Sequence, residues 1–511
     1  MGMWSFYFLG KLYLYFRGYI RFNLILNFVF MLFVLLPVPK NLSLSWFLRT
    51  VKFLLSVVCA FLLLWYDSWL PSLGNVFHFL TAPAAPSGEY IVRFLIDSVN
   101  PRELGILCII FAFCFAVRKR VTLAPVVIFL MGIILLAALR HRAEGKEDVE
   151  KYLDAFYQSE SKRIIHFDKA TPRGPDFDIV LLHICSLGWD DLRAVGLDSA
   201  PFFKQFNLLF ANFNSVTAYS NPSAIRLLRA NCGQQKHGDL YHNTQQECYL
   251  MESLRAEGYT TFTALDHDGV YGNFLEQVRT FGKADPAIAT NGFVIRQYDF
   301  DNSPIFDDLQ VLEKWWDVRQ KSESKRAALY FNAISLHSGS HRADVKNWWT
   351  IDRKTHYRGS VKELFTNLGK FFDTLASSGR NVLVVFIPEH GMALQGSSIQ
   401  APDLRDIPLP QITTVPVGIK MIGKGYPLFS TEQKIISSPS SYLALSYLLA
   451  SFIQESPFGE STLISQKIME NIPETPFVSE NEGIRVVKEG QDYFLYGKDK
   501  KWIKLSPSVV K

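Results

Sequence analysis

Glu389 and His390 stand side by side at the end of the run VLVVFIPEHG, after six unbroken apolar residues and a proline. A carboxylate and an imidazole are groups that bind metals and move protons. Three more stretches carry comparable chemistry. Cys185 ends the apolar stretch in LLHICSLGWDD, and His337 and His341 follow another in SLHSGSHR. The segment TAYSNPSAIRLLRA holds Ser220, Ser223, Arg226 and Arg229. Singly, each has an ordinary reading as a buried thiol, a loop pair or a Ser/Gly turn. Taken together, thiolate, carboxylate and imidazole form a ligand set that suits zinc better than magnesium or calcium, because sulfur and nitrogen are the softer donors.

These side chains need a frame. Apolar runs at 177–184, 260–265, 327–336, 381–387 and 415–421 read as strands buried on both faces, as in a largely parallel sheet. Helical patterns lie between them. The clearest covers 360–377, with Leu364, Phe365, Leu368, Phe371, Phe372 and Leu375 on one face, and it opens with Ser360 and Glu363 at capping-box spacing. The alternation predicts a doubly wound α/β sheet, whose ligand sites lie beyond the carboxyl ends of the strands. That is where the reactive residues fall. Pro388 is expected to stop strand pairing and leave Glu389 and His390 on a rigid post. Residues 484–505 read as a small antiparallel β meander.

The first 140 residues differ in kind. Apolar runs at 22–38, 53–66, 104–117 and 122–139 predict a transmembrane region of four or five helices over residues 1–142. Arg118, Lys119 and Arg120 mark a cytoplasmic loop, and Lys40, Arg49 and Lys52 agree, whereas Lys11, Arg17 and Arg21 do not. Polar residues 143–175 read as a helical linker, and 176–511 as an exported domain. The chain has 511 residues, 41 of them Phe, and a net charge of +5. No basic stripe or RNA motif accompanies that charge, so nucleic acid is not an expected partner. Cys232 and Cys248, close together among polar residues, are expected to form a disulfide in an oxidising compartment. Cys185 is then the odd thiol. Trp315 and Trp316 sit in a helical pattern and read as core.

Ser220-Asn221-Pro222-Ser223, with a later strand ending in Glu-His-Gly, resembles the alkaline phosphatase superfamily of sulfatases, phosphomonoesterases and phosphoethanolamine transferases. HICSLGWDDL, AYSNPSAIRLLRANCGQ, HDGVYGNF and LRDIPLPQITTVPVGIKMIG are similar to its membrane-anchored phosphoethanolamine transferases of cellulose synthesis. That similarity extends over the membrane region and nearly all of the chain after Phe177. A Cys after the first strand, where relatives usually carry an acid, distinguishes this branch. The sulfatase frame has Arg four residues after its nucleophile, where this chain has Ala224.

The resemblance implies an alkaline-phosphatase-like domain holding Zn2+ through Cys185, Ser220, Glu389 and His390, with Ser220 as nucleophile. The implied donor is phosphatidylethanolamine, and the implied acceptor is the C6 hydroxyl of glucosyl residues in cellulose. His337 and His341 are implied as phosphate ligands, general acid or second-metal ligands. Arg405, one of Arg226 and Arg229, and Tyr219 are implied at the phosphate. Trp348, Trp349 or Trp189 could stack on sugar rings. The implied setting is the bacterial inner membrane, multi-pass, with a periplasmic catalytic domain beside cellulose synthase subunits. Transfer to another envelope glycan, glycerol-phosphate transfer, phosphodiester cleavage and a non-catalytic scaffold remain the alternatives.

Overall fold

The computed structural model describes every residue except 1–3, 39–44, 82–84, 118–119, 121, 142–145, 168–173, 424–431, 460–461, 498–499 and 511. The chain forms two compact units. One comprises residues 1–82, 94–146 and 396–402, and the other 83–93, 147–395 and 403–511.

The second unit is built on a seven-stranded sheet of β1 (Asp178–Ile184), β2 (Leu208–Asn214), β3 (Tyr259–Leu265), β4 (Arg326–Ala333), β5 (Val382–Pro388), β6 (Thr414–Ile422) and β7 (Lys434–Ile436). Their order across the sheet is β7-β2-β6-β5-β1-β4-β3. All seven residues of β1 and all seven of β5 are buried, as unbroken apolar runs require. Alternate side chains feed two cores. Ile179, Leu181, Leu383 and Val385 join one, and Val180, Leu182, Val384 and Phe386 join the other. Helices cover both faces, so the sheet is doubly wound as expected.

It is less parallel than the apolar runs implied. β5, β1, β4 and β3 pair in parallel, as do β7 and β2, but β6 runs antiparallel to both β2 and β5. Strand polarity is set by how the chain returns to the sheet, which composition does not record. β2 was not expected either, because two asparagines and an exposed pair at Ala211–Asn212 break its apolar run.

The long helix runs Arg353–Ser377, starting seven residues before the capping-box signal. Its N-cap is Asp352, whose side chain accepts from the Thr355 N–H. Ser360 and Glu363 are helix-interior residues, and Glu363 pairs with Arg296 and Arg342. The carboxyl-terminal meander has four strands rather than the run from 484 alone, beginning with Val478–Asn481. Helix Lys146–Glu160, in the segment expected as a linker, packs Val149, Leu153, Phe156 and Tyr157 against Val478, Val487 and Trp502. Trp315 and Trp316 are core residues, and Cys232 and Cys248 form the expected disulfide.

The first unit is helical. Among the described residues, one helix, Trp46–Asp67, is long and apolar enough to cross a membrane. Gly88–Ser98 and Pro101–Val117, bent by 64°, reach that measure only together, and Leu24–Leu35 and Ala124–Leu136 are apolar but short. Four or five full-length spans are therefore not what these helices offer. Arg118 and Lys119, which carried the orientation, and Lys40 lie outside the described residues. The unit is nonetheless inverted relative to a water-soluble bundle. Phe28, Val29, Phe61, Ile109 and Phe129 are exposed, while Lys11, Asn27, Asp67 and Glu103 are buried.

Candidate active site

β1, β4 and β5 end on the same edge of the sheet, and the reactive residues follow them directly. Cys185 continues β1 and donates its N–H to the Ala333 carbonyl at 2.8 Å. Ser186 then turns through the left-handed region, at φ 59°. Pro388 does not stop the pairing. It sits in register with Ile184, the Glu389 N–H still donates to the Ile184 carbonyl at 2.8 Å, and Leu187 N–H donates to the His390 carbonyl at 2.7 Å. A proline lacks only its own N–H, so the residue after it can continue the ladder. Cys185, Glu389 and His390 are thus held by backbone bonds as well as by packing.

Ser220 is the first residue of helix Ser220–Leu228. That helix is seated by Ser223, which donates to the Glu389 carbonyl at 3.1 Å and bonds the Tyr442 hydroxyl at 2.8 Å and His183 Nε2 at 3.3 Å. On the meander, Asn481 accepts from Thr217 Oγ1 and the Ala218 N–H and donates to the Arg405 and Asp406 carbonyls. One buried amide therefore fixes both the chain leading into Ser220 and the segment bearing Arg405.

The result is one tight cluster. Ser220 Oγ lies 3.5 Å from Cys185 Sγ and 3.5 Å from His390 Nε2, Cys185 Sγ lies 3.9 Å from His390 Nε2, and Glu389 Oε2 lies 3.7 Å from His390 Nε2. Cys185, Glu389 and His390 offer ligand atoms all within 4.8 Å of one another and are fully buried. Zinc bonds of about 2.0–2.3 Å in a tetrahedron imply donor–donor edges of roughly 3.3–3.8 Å, close to these separations. Two further observations suit a cation. Glu389 Oε2 is buried with no hydrogen-bond partner, a costly arrangement for a carboxylate oxygen. His390 Nδ1 lies 2.9 Å from the Gly391 carbonyl, which fixes its proton there and leaves the Nε2 lone pair facing the cluster. Burial pushes the Cys185 thiol and the Glu389 carboxyl up and His390 down, favouring their neutral forms. A divalent ion would supply the charge that reverses the first two.

His337 and Arg405 border the cluster. His337 Nδ1 lies 2.8 Å from Asp299 Oδ1, and its Nε2 lies 3.4 Å from Arg405 Nη2. Arg405 Nη1 donates to Ser186 Oγ at 3.1 Å and lies 3.3 Å from His390 Nδ1. Tyr219, next to the nucleophile candidate, donates its hydroxyl to Asp406 at 2.9 Å.

The remaining candidates go elsewhere. His341 stacks on Trp348 with ring centroids 4.6 Å apart and bonds the Gly339 carbonyl. Arg226 is buried and donates to the Gln235 carbonyl, and Arg229 binds the carbonyls of Phe281, Asp239 and His242. Both arginines therefore hold the loops around the disulfide rather than the cluster. The spacing placed them about one helical turn apart beyond Ser220, but both side chains turn to those backbone carbonyls. Trp348 is buried, and Trp189 packs on Phe203, so neither is an open sugar platform. Asn332, His183, Asp299 and Asp191 were missed. Asp191 accepts from the N–H groups of Met392 and Leu394 and fixes the loop after His390; burial pushes its carboxyl up to about 7. Asp191 lies in the quoted GWDD and Asn332 within an expected strand, yet nothing in their neighbours marks them.

The description "Cellulose biosynthesis protein BcsG C-terminal domain" matches residues 137–502, and "Cellulose biosynthesis protein BcsG N-terminal domain" matches residues 4–138. The cellulose biosynthesis protein BcsG of Salmonella typhimurium is 34% identical, over 96% of this chain and 94% of its own. Its namesake from Escherichia coli K12 is 33% identical, over 95% and 92%. Among solved structures, an alkaline phosphatase superfamily protein of Vibrio parahaemolyticus is 15% identical with a TM-score of 0.48, covering 71% of this chain and 92% of its own. The lipooligosaccharide phosphoethanolamine transferase EptA of Neisseria meningitidis is 13% identical with a TM-score of 0.41, covering 90% and 97%. Those structural likenesses are faint, and the family assignment rests on the sequence matches. With both domains matched and a third of residues identical across nearly the whole chain, the protein belongs to the family of the cellulose biosynthesis protein BcsG.

Proposed function

We propose that this chain is a zinc-dependent transferase that moves phosphoethanolamine from phosphatidylethanolamine to the C6 hydroxyl of glucosyl residues in cellulose, by way of a phosphoethanolamine–serine intermediate at Ser220. The observation that carries the reading is the convergence of Ser220 Oγ with Cys185 Sγ and His390 Nε2 beside the orphaned Glu389 Oε2. Cys185, Glu389 and His390 would hold Zn2+ with Ser220 as fourth ligand. The bound ion supplies Lewis acidity, which makes a serine hydroxyl a competent nucleophile near neutral pH.

Ser220, having released its hydroxyl proton to solvent, attacks as the alkoxide: its Oγ forms a bond to phosphorus as the bond to the glycerol oxygen breaks, and diacylglycerol departs. His337, its Nδ1 fixed on Asp299 and its Nε2 beside Arg405 at the border of the cluster, gives the glycerol oxygen its proton. In the second displacement the glucosyl C6 hydroxyl attacks phosphorus, His337 takes the proton from that hydroxyl, and Ser220 Oγ leaves. Arg405 is the fixed cation for the phosphoryl oxygens, and Tyr219 orients the group from the open side. Anchoring in the bacterial inner membrane, with this unit on the periplasmic side near the cellulose synthase subunits, brings the site to a lipid head group at high local concentration.

The test is direct. Incubating the full chain with phosphatidylethanolamine vesicles should leave phosphoethanolamine on the peptide carrying Ser220, and Ser220→Ala should abolish it. Solid-state phosphorus NMR of cellulose from cells with and without the intact protein tests the acceptor. An adduct on another residue would remove the nucleophile assignment, and identical cellulose spectra would remove the acceptor.

A further inference from the structure

Only one oxygen of Glu389 faces the cluster, and a buried chain of hydrogen bonds decides which. The chain begins at a backbone N–H, which can only donate. Gly269 N–H donates to His267 Nδ1 at 3.1 Å. His267 must then carry its proton on Nε2, which lies 3.0 Å from Asn332 Oδ1. That bond orients the amide, so Asn332 Nδ2 points the other way, toward Glu389 Oε1 at 2.5 Å and the His183 carbonyl at 3.3 Å. Both of those partners are acceptors, as an amide nitrogen requires. Glu389 Oε1 is thereby occupied, and Oε2 is left without a partner.

The start of the chain is built into the loop after β3. Gly269 has φ 70°, and a Cβ there would lie 2.8 Å from Leu275 Cβ. A glycine is needed for the backbone to turn its N–H back onto residue 267. The His267 ring is buried and held edge-on by Phe274 at 5.3 Å. Burial pushes its pKa down, which keeps the neutral ring that the Gly269 N–H demands.

We propose that His267 and Asn332 are positioning residues for the metal-ligating carboxylate, holding Glu389 by Oε1 so that Oε2 is the oxygen offered to the metal. This inference rests on the zinc reading above and extends it to two side chains that touch neither metal nor substrate. The carboxyl ends of β3, β4 and β5 contribute one member each: His267 and Glu389 lie just past their strands, and Asn332 is the second-last residue of β4. A rotation of the carboxylate toward any other partner would break the Asn332 bond and leave one N–H of that buried amide without its carboxylate acceptor, with only the His183 carbonyl remaining to the nitrogen.

The experiment measures zinc affinity of the full chain by competition with a chromophoric chelator, alongside the visible spectrum of the cobalt-substituted protein. Removing an outer-shell partner of a metal ligand weakens binding by about 10- to 100-fold, so His267→Phe and Asn332→Leu should each show such a loss and a shifted cobalt spectrum. His267→Gln, which keeps an N–H donor, should recover most of the affinity, to within roughly threefold of the parent. Gln rescue also separates positioning from misfolding if the Phe variant fails to fold. A folded His267→Phe that binds zinc as tightly as the parent, with an unchanged cobalt spectrum, would overturn the inference. A parent chain that holds no zinc would instead sink the metal reading itself.

Discussion

His337 and His341 are four residues apart, and the fold gives them different neighbours. The first has Asp299 behind it and Arg405 in front; the second lies flat on Trp348. Replacing a general acid–base typically costs about 10²- to 10⁴-fold in rate. His337→Gln should show a loss of that order in transfer to a cello-oligosaccharide, with zinc content unchanged. His341→Gln should stay within about twofold, because it removes a ring from a stack rather than a proton donor. Equal losses in the two variants would contradict this division. The sequence named both histidines but could not rank them, since HSGSH carries no sign of the Asp299 partner that distinguishes them. It named Cys185, Glu389 and His390 from their residue types at strand ends, and Ser220 through the family resemblance. Asn332 escaped because a buried asparagine becomes informative only when its neighbours in space are known.

At the level of elements, strand ends serve as fixed mounts. β1 and β5 are buried throughout and joined to each other, so the residues just beyond them inherit their rigidity. Helix Arg353–Ser377 covers one face and tests a different lesson. Its cap is Asp352, so Asp352→Ala should lower stability by about 1 kcal/mol, measured by denaturant unfolding. Ser360→Ala, at the expected but unused capping box, should change stability by less than about 0.5 kcal/mol. The box failed as a signal because residues 353–359 are also helix-compatible and meet a better cap upstream. The same helix carries His356, which burial, helped by Arg93 and His341, pushes down from 6.5 to about 4. Below 6.5 the unfolded chain takes up this proton while the folded chain does not until near 4, so stability falls as pH drops through that window. His356→Gln should flatten this acid limb in melting temperatures recorded between pH 7.5 and 5. A steeper limb in the variant would contradict the assignment. Other buried histidines act with the same sign, so the effect is a share of the whole.

Across the whole molecule, the two units obey opposite rules. The sheet unit buries its apolar runs and exposes charge. The helical unit exposes Phe28, Phe61 and Ile109 and buries a polar knot in which Lys11 Nζ meets Asp67 Oδ2 at 2.8 Å and Asn27 Oδ1 at 2.8 Å. Apolar surfaces outward and satisfied polar groups inward suit lipid as solvent. Breaking one partner of a buried pair leaves an uncompensated charge, at a cost of about 3–5 kcal/mol. Asp67→Leu should therefore destabilise the unit in detergent, and Lys11→Met in the same chain should restore most of the loss. A double variant no more stable than Asp67→Leu would show that the pair is not what holds these helices.

Composition and periodicity alone determined the division into a helical apolar part and an α/β part, the buried strands, and the residue types able to hold a soft metal. Those features are local, because burial on both faces of a strand demands an unbroken apolar run wherever the strand finally sits. Strand polarity, the true cap of the long helix, the separation of His337 from His341, the retreat of Arg226 and Arg229 into loop-holding roles, and the bond from Asn332 to Glu389 were decided only by tertiary structure. Strand polarity, the Asp299 partner of His337 and the Asn332–Glu389 bond depend on groups meeting across tens or hundreds of residues, which is set by how the chain returns to the sheet. The cap and the Arg226 contact are short-range, and the folded structure decided which of the available local partners was used.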